Sequence, residues 1–286
     1  MKLCLGTAQF GLDYGINNTR GKIPYQEVTE ILNYAHEKGI TELDTASAYG
    51  ESEKVLGDAI YKTDKNFNIF TKYPANTEIS PYQFIETSLD NLRLKAIKGY
   101  LFHNFSIYKN KPVLIDDFIK IKETEKSEKI GFSLYYPSEA EYILKNNLPC
   151  DILQIPYNIF DQRFNYLLPE IHNKGIEIYI RSIFLQGLFF KRPNTLEDKF
   201  TSISGKLCEL QSIARKYSVD LAAFCMSYAY SNKFIKAIVI GIDSLANLKE
   251  NINNYLIIQS LNIPSSVFEE FAVNDENIIL PFNWDK

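Results

Sequence analysis

Eight times along this chain a short β-rich run is followed by a stretch of helical periodicity, and that alternation limits the fold more than any other feature. Strands are expected at residues 2–7, 40–46, 66–72, 98–103, 129–135, 151–157, 176–184 and 237–242. Between them apolar residues recur at helical spacing. Pro24 opens the first helix, with Val28, Ile31, Leu32 and Ala35 on one face, and Gly39 ends it. Further helices are expected at 51–60, from Ser80-Pro81 onward, at 113–129, 138–146, 165–174, 203–217 and 220–230, from the Ser244 cap to Tyr255, and at 265–276.

Parallel neighbours need long crossovers, so strand–helix repetition implies a parallel sheet. Runs such as Ile238-Val239-Ile240 are apolar on both faces, as strands buried on both sides should be. A count of eight favours closure into a single (β/α)8 TIM barrel spanning residues 1–286, with a short helical tail from about 257. A length of 286 residues suits that fold, and 45% hydrophobic residues supply its core. This composition excludes a disordered, collagen-like or coiled-coil chain. No Gly-x-Gly-x-x-Gly follows the first strand, so the usual dinucleotide fingerprint is missing.

The net charge of −4 lacks the basic footprint of a nucleic-acid binder. No apolar run approaches the ~20 residues of a membrane span, and no signal-peptide pattern precedes Gly6. Cys4, Cys150, Cys208 and Cys225 form no CxxC pair, and His36, His103 and His172 are dispersed, so no metal site is expected. Unpaired thiols suit a reducing compartment, and a cytoplasmic location is the simplest reading.

In such barrels the active site lies at the C-terminal ends of the strands. Asp44 ends the second strand and Tyr49 follows in the next loop. Lys72 ends the third strand and His103 the fourth. A phenol with pKa near ~10 donates protons poorly at neutral pH unless tuned. A nearby ammonium lowers that pKa, so Lys72 is expected to tune Tyr49 while Asp44 holds Lys72 charged. His103 is placed to orient a substrate oxygen by hydrogen bonding. Together the four form an acid that protonates a carbonyl oxygen while hydride arrives at carbon.

The residues that carry this chemistry resemble the aldo-keto reductase superfamily over nearly the whole chain. The match includes Leu5-Gly6-Thr7-Ala8 and Leu43-Asp44-Thr45-Ala46 with Tyr49-Gly50-Glu51-Ser52-Glu53. It continues through Lys72, His103, Gly131-Phe132-Ser133 and Gln154, then Gly241 through Glu250-Asn251. The resemblance implies reduction of an aldehyde or ketone with NADPH, NADH being the alternative. It implies that Tyr49 is the general acid, tuned by Lys72 and Asp44, with His103 positioning the carbonyl. It further implies cofactor contacts from Gly6, Thr7, Asp44, Ser133, Gln154, Arg181, Gln186, Gly187, Gly241, Asp243, Asn247, Glu250 and Asn251. Leu134 stands where the family commonly has Asn, and Arg181 where many members stack a Tyr on the nicotinamide. Gly241 and Asn247 stand where many NADP-specific members place a Lys and an Arg for the 2′-phosphate, and Asp243 between them would oppose that phosphate. The short tail predicts a more open substrate pocket than that of larger members.

Each residue also has a structural reading: Asp44 as a turn cap, Tyr49 as a half-buried aromatic, Lys72 as a solvated cation, Arg181 as a rim ion pair. His36 and His172 read as structural. The alternating Lys120, Lys122, Lys126 and Lys129 with Glu123, Glu125 and Glu128 read as a solvated, ion-paired face. Two other functions fit the same barrel: a Schiff-base lyase or aldolase using Lys72, and a non-catalytic nicotinamide-binding regulatory barrel. The partner expected is a small carbonyl compound, sugar-like or anionic, with no nucleic acid or membrane.

Overall fold

The computed structural model describes residues 1–284. Eight strands run as β1 (Leu3–Gly6), β2 (Glu42–Asp44), β3 (Asn68–Tyr73), β4 (Ile97–Phe102), β5 (Ser127–Ser133), β6 (Ile152–Pro156), β7 (Glu177–Arg181) and β8 (Ile235–Gly241). They pair in parallel and in chain order, and β8 returns to β1 to close the barrel. Helices fill the crossovers, among them Tyr25–Glu37, Ser52–Thr63, Pro81–Leu92 and Leu245–Ile258. The (β/α)8 barrel expected from the alternation is the fold observed.

Two apolar layers follow from the two-residue period of a strand. Cys4, Phe70, Leu101, Ile152, Tyr179, Ala237 and Val239 fill the lumen. Their sequence neighbours, such as Leu5, Ile69, Tyr100, Leu153 and Ile238, join the larger cluster that includes the helices' buried faces. Gly99 makes room within: a Cβ there would lie 2.4 Å from the Phe70 ring. The same alternation brings one inward position of every strand to the C-terminal mouth. Those positions are Gly6, Asp44, Lys72, His103, Ser133, Gln154, Arg181 and Gly241, His103 lying one residue past β4 with its N–H donating to Tyr73 at 3.2 Å.

Element ends depart from expectation where turn chemistry intervenes. The helix expected to run to 129 is Leu114–Glu123, because Glu125 takes φ +57 and turns the chain into β5. Asn104 caps an unexpected short helix, Phe105–Asn110, by accepting from the Ile107 N–H at 3.2 Å. The loop after β7 holds 3-10 turns at Leu185–Phe190, Pro193–Thr195 and Asp198–Ile203. The last helical stretch breaks into Ser265–Glu269 and Glu276–Ile279.

That tail returns to the mouth. Val273 N–H donates to Phe160 at 2.8 Å, and Gln162 donates to Phe268 at 2.6 Å. The Phe282 ring then meets Tyr135 edge-on at 4.7 Å, directly beyond β5. Among the described residues no helix is long and apolar enough to cross a membrane.

Candidate active site

At the mouth, a buried ion pair joins three strands. Lys72 Nζ of β3 donates to Asp44 Oδ1 of β2 at 2.7 Å and to the Thr45 carbonyl at 2.8 Å. Gln154 Nε2, reaching from β6 across the lumen, donates to the same Asp44 oxygen at 2.7 Å. Lys72 is 1% exposed and Asp44 4%. Two charges so deeply buried persist only when hydrogen bonds supplement their attraction, as they do here.

Tyr49 is held by a stitched loop. Ser52 Oγ donates to the Thr7 carbonyl at 2.8 Å and lies within 3.1 Å of both the Thr7 and Thr45 hydroxyls. Gly50 adopts φ +57, and a Cβ there would meet the Gly11 carbonyl at 2.7 Å. Ser47 ties the loop to the Lys72 carbonyl at 2.9 Å. Glu53 receives the Thr71 hydroxyl at 2.6 Å. Half of the segment from Asp44 to Glu53 therefore serves to fix where Tyr49 stands. Thr7, expected at the cofactor, has its hydroxyl fully inside this network.

The Tyr49 and His103 rings meet edge to face at 5.8 Å, and Lys72 Nζ lies 5.4 Å from the Tyr49 centroid. Among the described residues neither the Tyr49 hydroxyl nor an imidazole nitrogen of His103 has a hydrogen-bond partner. Burial first, then Asp44, pushes the Tyr49 phenol well above its ordinary 10, with Arg181 opposing. The expected lowering by Lys72 is therefore not the net result: Asp44 matches the Lys72 charge, and burial dominates. Burial, then Lys72 and Arg181, lowers His103 to about 3, so it is a neutral imidazole at neutral pH.

Arg181 does not stand as an open platform. Its guanidinium covers the Tyr135 ring at 4.4 Å and donates to the Leu134 carbonyl at 2.9 Å and to the Ser182 hydroxyl at 3.4 Å. Gln186 and Gly187 turn through φ +52 and +93. They join the loop after β1, Gln186 donating to the Tyr14 hydroxyl at 2.9 Å and Gly187 accepting from Asn17. Gly6 and Gly241 face each other in register between β1 and β8. Ser133 is buried at the end of β5.

A second group gathers at the start of helix Leu245–Ile258. Ser244 caps it through the Asn247 N–H at 3.1 Å and donates to Asp243 at 2.7 Å. Glu27 accepts the Leu245 N–H at 3.0 Å and forms a two-pronged pair with Arg20. Arg20 also donates to the Asp243 carbonyl at 3.0 Å. Asn251 is buried and donates to Asn247 at 3.3 Å, whereas Glu250 is exposed.

Sequence reasoning missed Tyr14, Tyr135, Arg20 and Glu27. The polar, glycine-punctuated segment from Asp13 to Gly21 and the Tyr135-Tyr136 doublet after β5 were the available signals. Among the described residues two buried amide oxygens, Gln154 Oε1 and Gln9 Oε1, have no partner. An amide-bearing ligand fits the first, because Gln154 lies at the floor of the mouth beside Asp44.

The profile of the Aldo/keto reductase family matches residues 2–263. The chain is 25% identical over 248 residues to the uncharacterized oxidoreductase YqkF of Bacillus subtilis, covering 78% of this chain and 80% of that protein. It is 22% identical to the L-galactose dehydrogenase of Arabidopsis thaliana, covering 87% of this chain and 84% of that one. Its fold is similar to that of an aldo-keto reductase from Bacillus halodurans in its holo form. There the TM-score is 0.75 at 19% identity, covering 95% and 92% of the two chains.

Proposed function

We propose, from the premise that this chain belongs to the aldo/keto reductase family and is an oxidoreductase, that it reduces an aldehyde or ketone to an alcohol with NADPH or NADH. One observation carries the reading: the Tyr49 and His103 rings meet edge to face, with polar atoms that have no partner among the described residues, next to the buried Lys72–Asp44–Gln154 cluster. A bound nicotinamide supplies hydride, two electrons and a hydrogen, to the carbonyl carbon.

The protein's part is the proton and the position. Tyr49 keeps its phenolic proton at neutral pH, because burial and Asp44 disfavour the phenolate. An alkoxide forming on the substrate is more basic still and takes that proton. The phenolate then regains a proton from water. Neutral His103 donates a hydrogen bond to the same oxygen, and it does so without adding a charge that would drain the acid. Lys72 and Asp44 act as positioning residues: they set the field beneath Tyr49 and the end of the lumen.

For the cofactor, Ser133 and the free Gln154 oxygen suit an amide such as the nicotinamide carboxamide. Gly6, Gly241, Gln186 and Gly187 line the neighbouring rim, and the helix start at Ser244 lies beyond them. A Schiff-base reading of Lys72 fits poorly, since its ammonium is buried and already held by Asp44 and Thr45. The four free thiols suit a cytoplasmic setting.

The test is Tyr49→Phe. The variant should lose roughly 10²- to 10⁴-fold in carbonyl-dependent NADPH or NADH oxidation. Cofactor affinity, read by fluorescence, should hold, and so should the melting temperature, because the hydroxyl bonds no other described group. Full activity in this variant overturns the mechanism.

A further inference from the structure

We infer that the substrate carries a carboxylate near its carbonyl and that Arg181 binds it; the inference rests on the carbonyl-reductase reading of the mouth. Arg181 ends β7 in register with Pro156 of β6, yet its Nη2 reaches Leu134 just beyond β5. The guanidinium therefore crosses the end of β6, whose inward residue Gln154 floors the site. Its charge acts on both Tyr49 and His103.

Unlike the cations of the barrel's ion pairs, Arg181 makes no direct salt bridge among the described residues. Lys72 has Asp44, Arg163 has Asp161 and Arg20 has Glu27, each within 2.8 Å. Among the described residues Arg181 pairs with no carboxylate. Its two protein bonds go to a carbonyl and a hydroxyl, and one face rests on Tyr135. Glu139 is an acid that feels Arg181: burial raises its carboxyl, with the Tyr135 and Tyr136 N–H groups and then Arg181 opposing, and one of its oxygens accepts those two N–H groups at 2.7 and 3.0 Å. A guanidinium has five N–H donors in a fork that matches a carboxylate, and here only two are engaged. A half-buried cation that makes no direct ion pair is costly, and a ligand carboxylate relieves that cost. Tyr135, itself met edge-on by Phe282, covers one face of the head.

Matched aldehydes test this. The wild-type protein and Arg181→Met and Arg181→Lys variants are assayed with 4-carboxybenzaldehyde against methyl 4-formylbenzoate, and with succinic semialdehyde against butanal. The wild type should favour each acid by about tenfold or more in kcat/KM, the scale of a charge-assisted hydrogen bond. Arg181→Met should collapse that ratio towards one through KM for the acids, and Arg181→Lys should keep part of it. Equal use of acid and neutral partner by the wild type overturns the inference and leaves the reductase reading standing. So does a weakened Kd for NADPH and NADH that depresses both partners equally, since Arg181 then serves the cofactor. Calorimetric titration with 4-(hydroxymethyl)benzoate reads the same contact without turnover. Binding lost in Arg181→Met supports the inference even where no aldehyde is reduced, and binding unchanged overturns it.

Discussion

Strand β2 carries two inward carboxylates two residues apart, and the barrel treats them in opposite ways. At the floor, Glu42 accepts the Tyr179 hydroxyl at 3.2 Å, and burial raises its carboxyl. Nearby, Lys129 pairs with Glu177 at 2.7 Å. At the mouth, Asp44 takes an ammonium and an amide on one oxygen, while Tyr49, His103 and Arg181 beside it keep unused donors. A concavity of 620 Å³ opens at the floor, lined in part by Lys2, Glu42 and His172. The floor's acids each have a partner of opposite charge or a hydroxyl within the fold, with one buried Glu177 oxygen lacking a hydrogen bond, whereas at the mouth Tyr49 and His103 have no hydrogen-bond partner among the described residues. A cavity alone thus says less about function than where polar groups remain unpaired.

The largest expected effect separates these two acids. Asp44→Asn leaves the Lys72 ammonium buried without a counter-charge, which should cost about 3–5 kcal/mol of stability. Urea unfolding followed by circular dichroism reads it, and carbonyl reduction should fall with it. Adding Lys72→Met should recover part of the stability but none of the activity. Glu42→Gln keeps an acceptor for Tyr179, so its cost should stay within about 1 kcal/mol and turnover should be unchanged. If Glu42→Gln costs as much as Asp44→Asn, the two ends do not differ as argued.

A smaller effect belongs to His103. Its folded pKa of about 3 lies below the ordinary 6.5, so the folded protein binds this proton less tightly than the unfolded chain. Stability contributed by the neutral imidazole is therefore fully present above 6.5 and lost as pH falls towards about 3. His103→Gln should flatten the slope of stability against pH within that window and leave it unchanged above. The pH profile of kcat/KM should also show no limb near 6.5 from this residue. A limb there that disappears in His103→Gln would show an imidazole exposed to water, more like a surface site than the mouth described.

Much of this was legible because strands and lumens obey simple periods. Eight apolar runs implied the barrel, and strand-end placement singled out Asp44, Lys72 and His103, which the structure brings to one mouth with Gln154. The direction of the Tyr49 shift was not legible, because burial depends on loops and on the returning tail. Phe282 lies 147 residues after Tyr135 in the chain, yet their rings touch, and no local pattern encodes that contact. Arg20 and Glu27 escaped for the same reason, since their meaning comes from Asp243 and Leu245 some 220 residues later.

That distant pairing sets the smallest effect, at the outer edge of the mouth. The family resemblance implies that the 2′-phosphate of NADPH meets the loop between β8 and helix Leu245–Ile258. In this chain Glu27 already accepts the first free N–H of that helix and engages Arg20 with both its oxygens. Asp243 adds a second carboxylate beside them. A phosphate arriving there meets an occupied cation and two acids, so NADH should bind at least as tightly as NADPH. Glu27→Gln removes one of those charges and releases Arg20 from its two-pronged pair. The Kd ratio of NADPH to NADH should then shift towards NADPH by roughly two- to fivefold, since exposed pairs are worth little. Raising the salt concentration should shrink the shift, because the groups lie at the surface. An unchanged ratio would mean that this helix start is as self-contained as the floor, and that the unpaired part of the mouth ends before it.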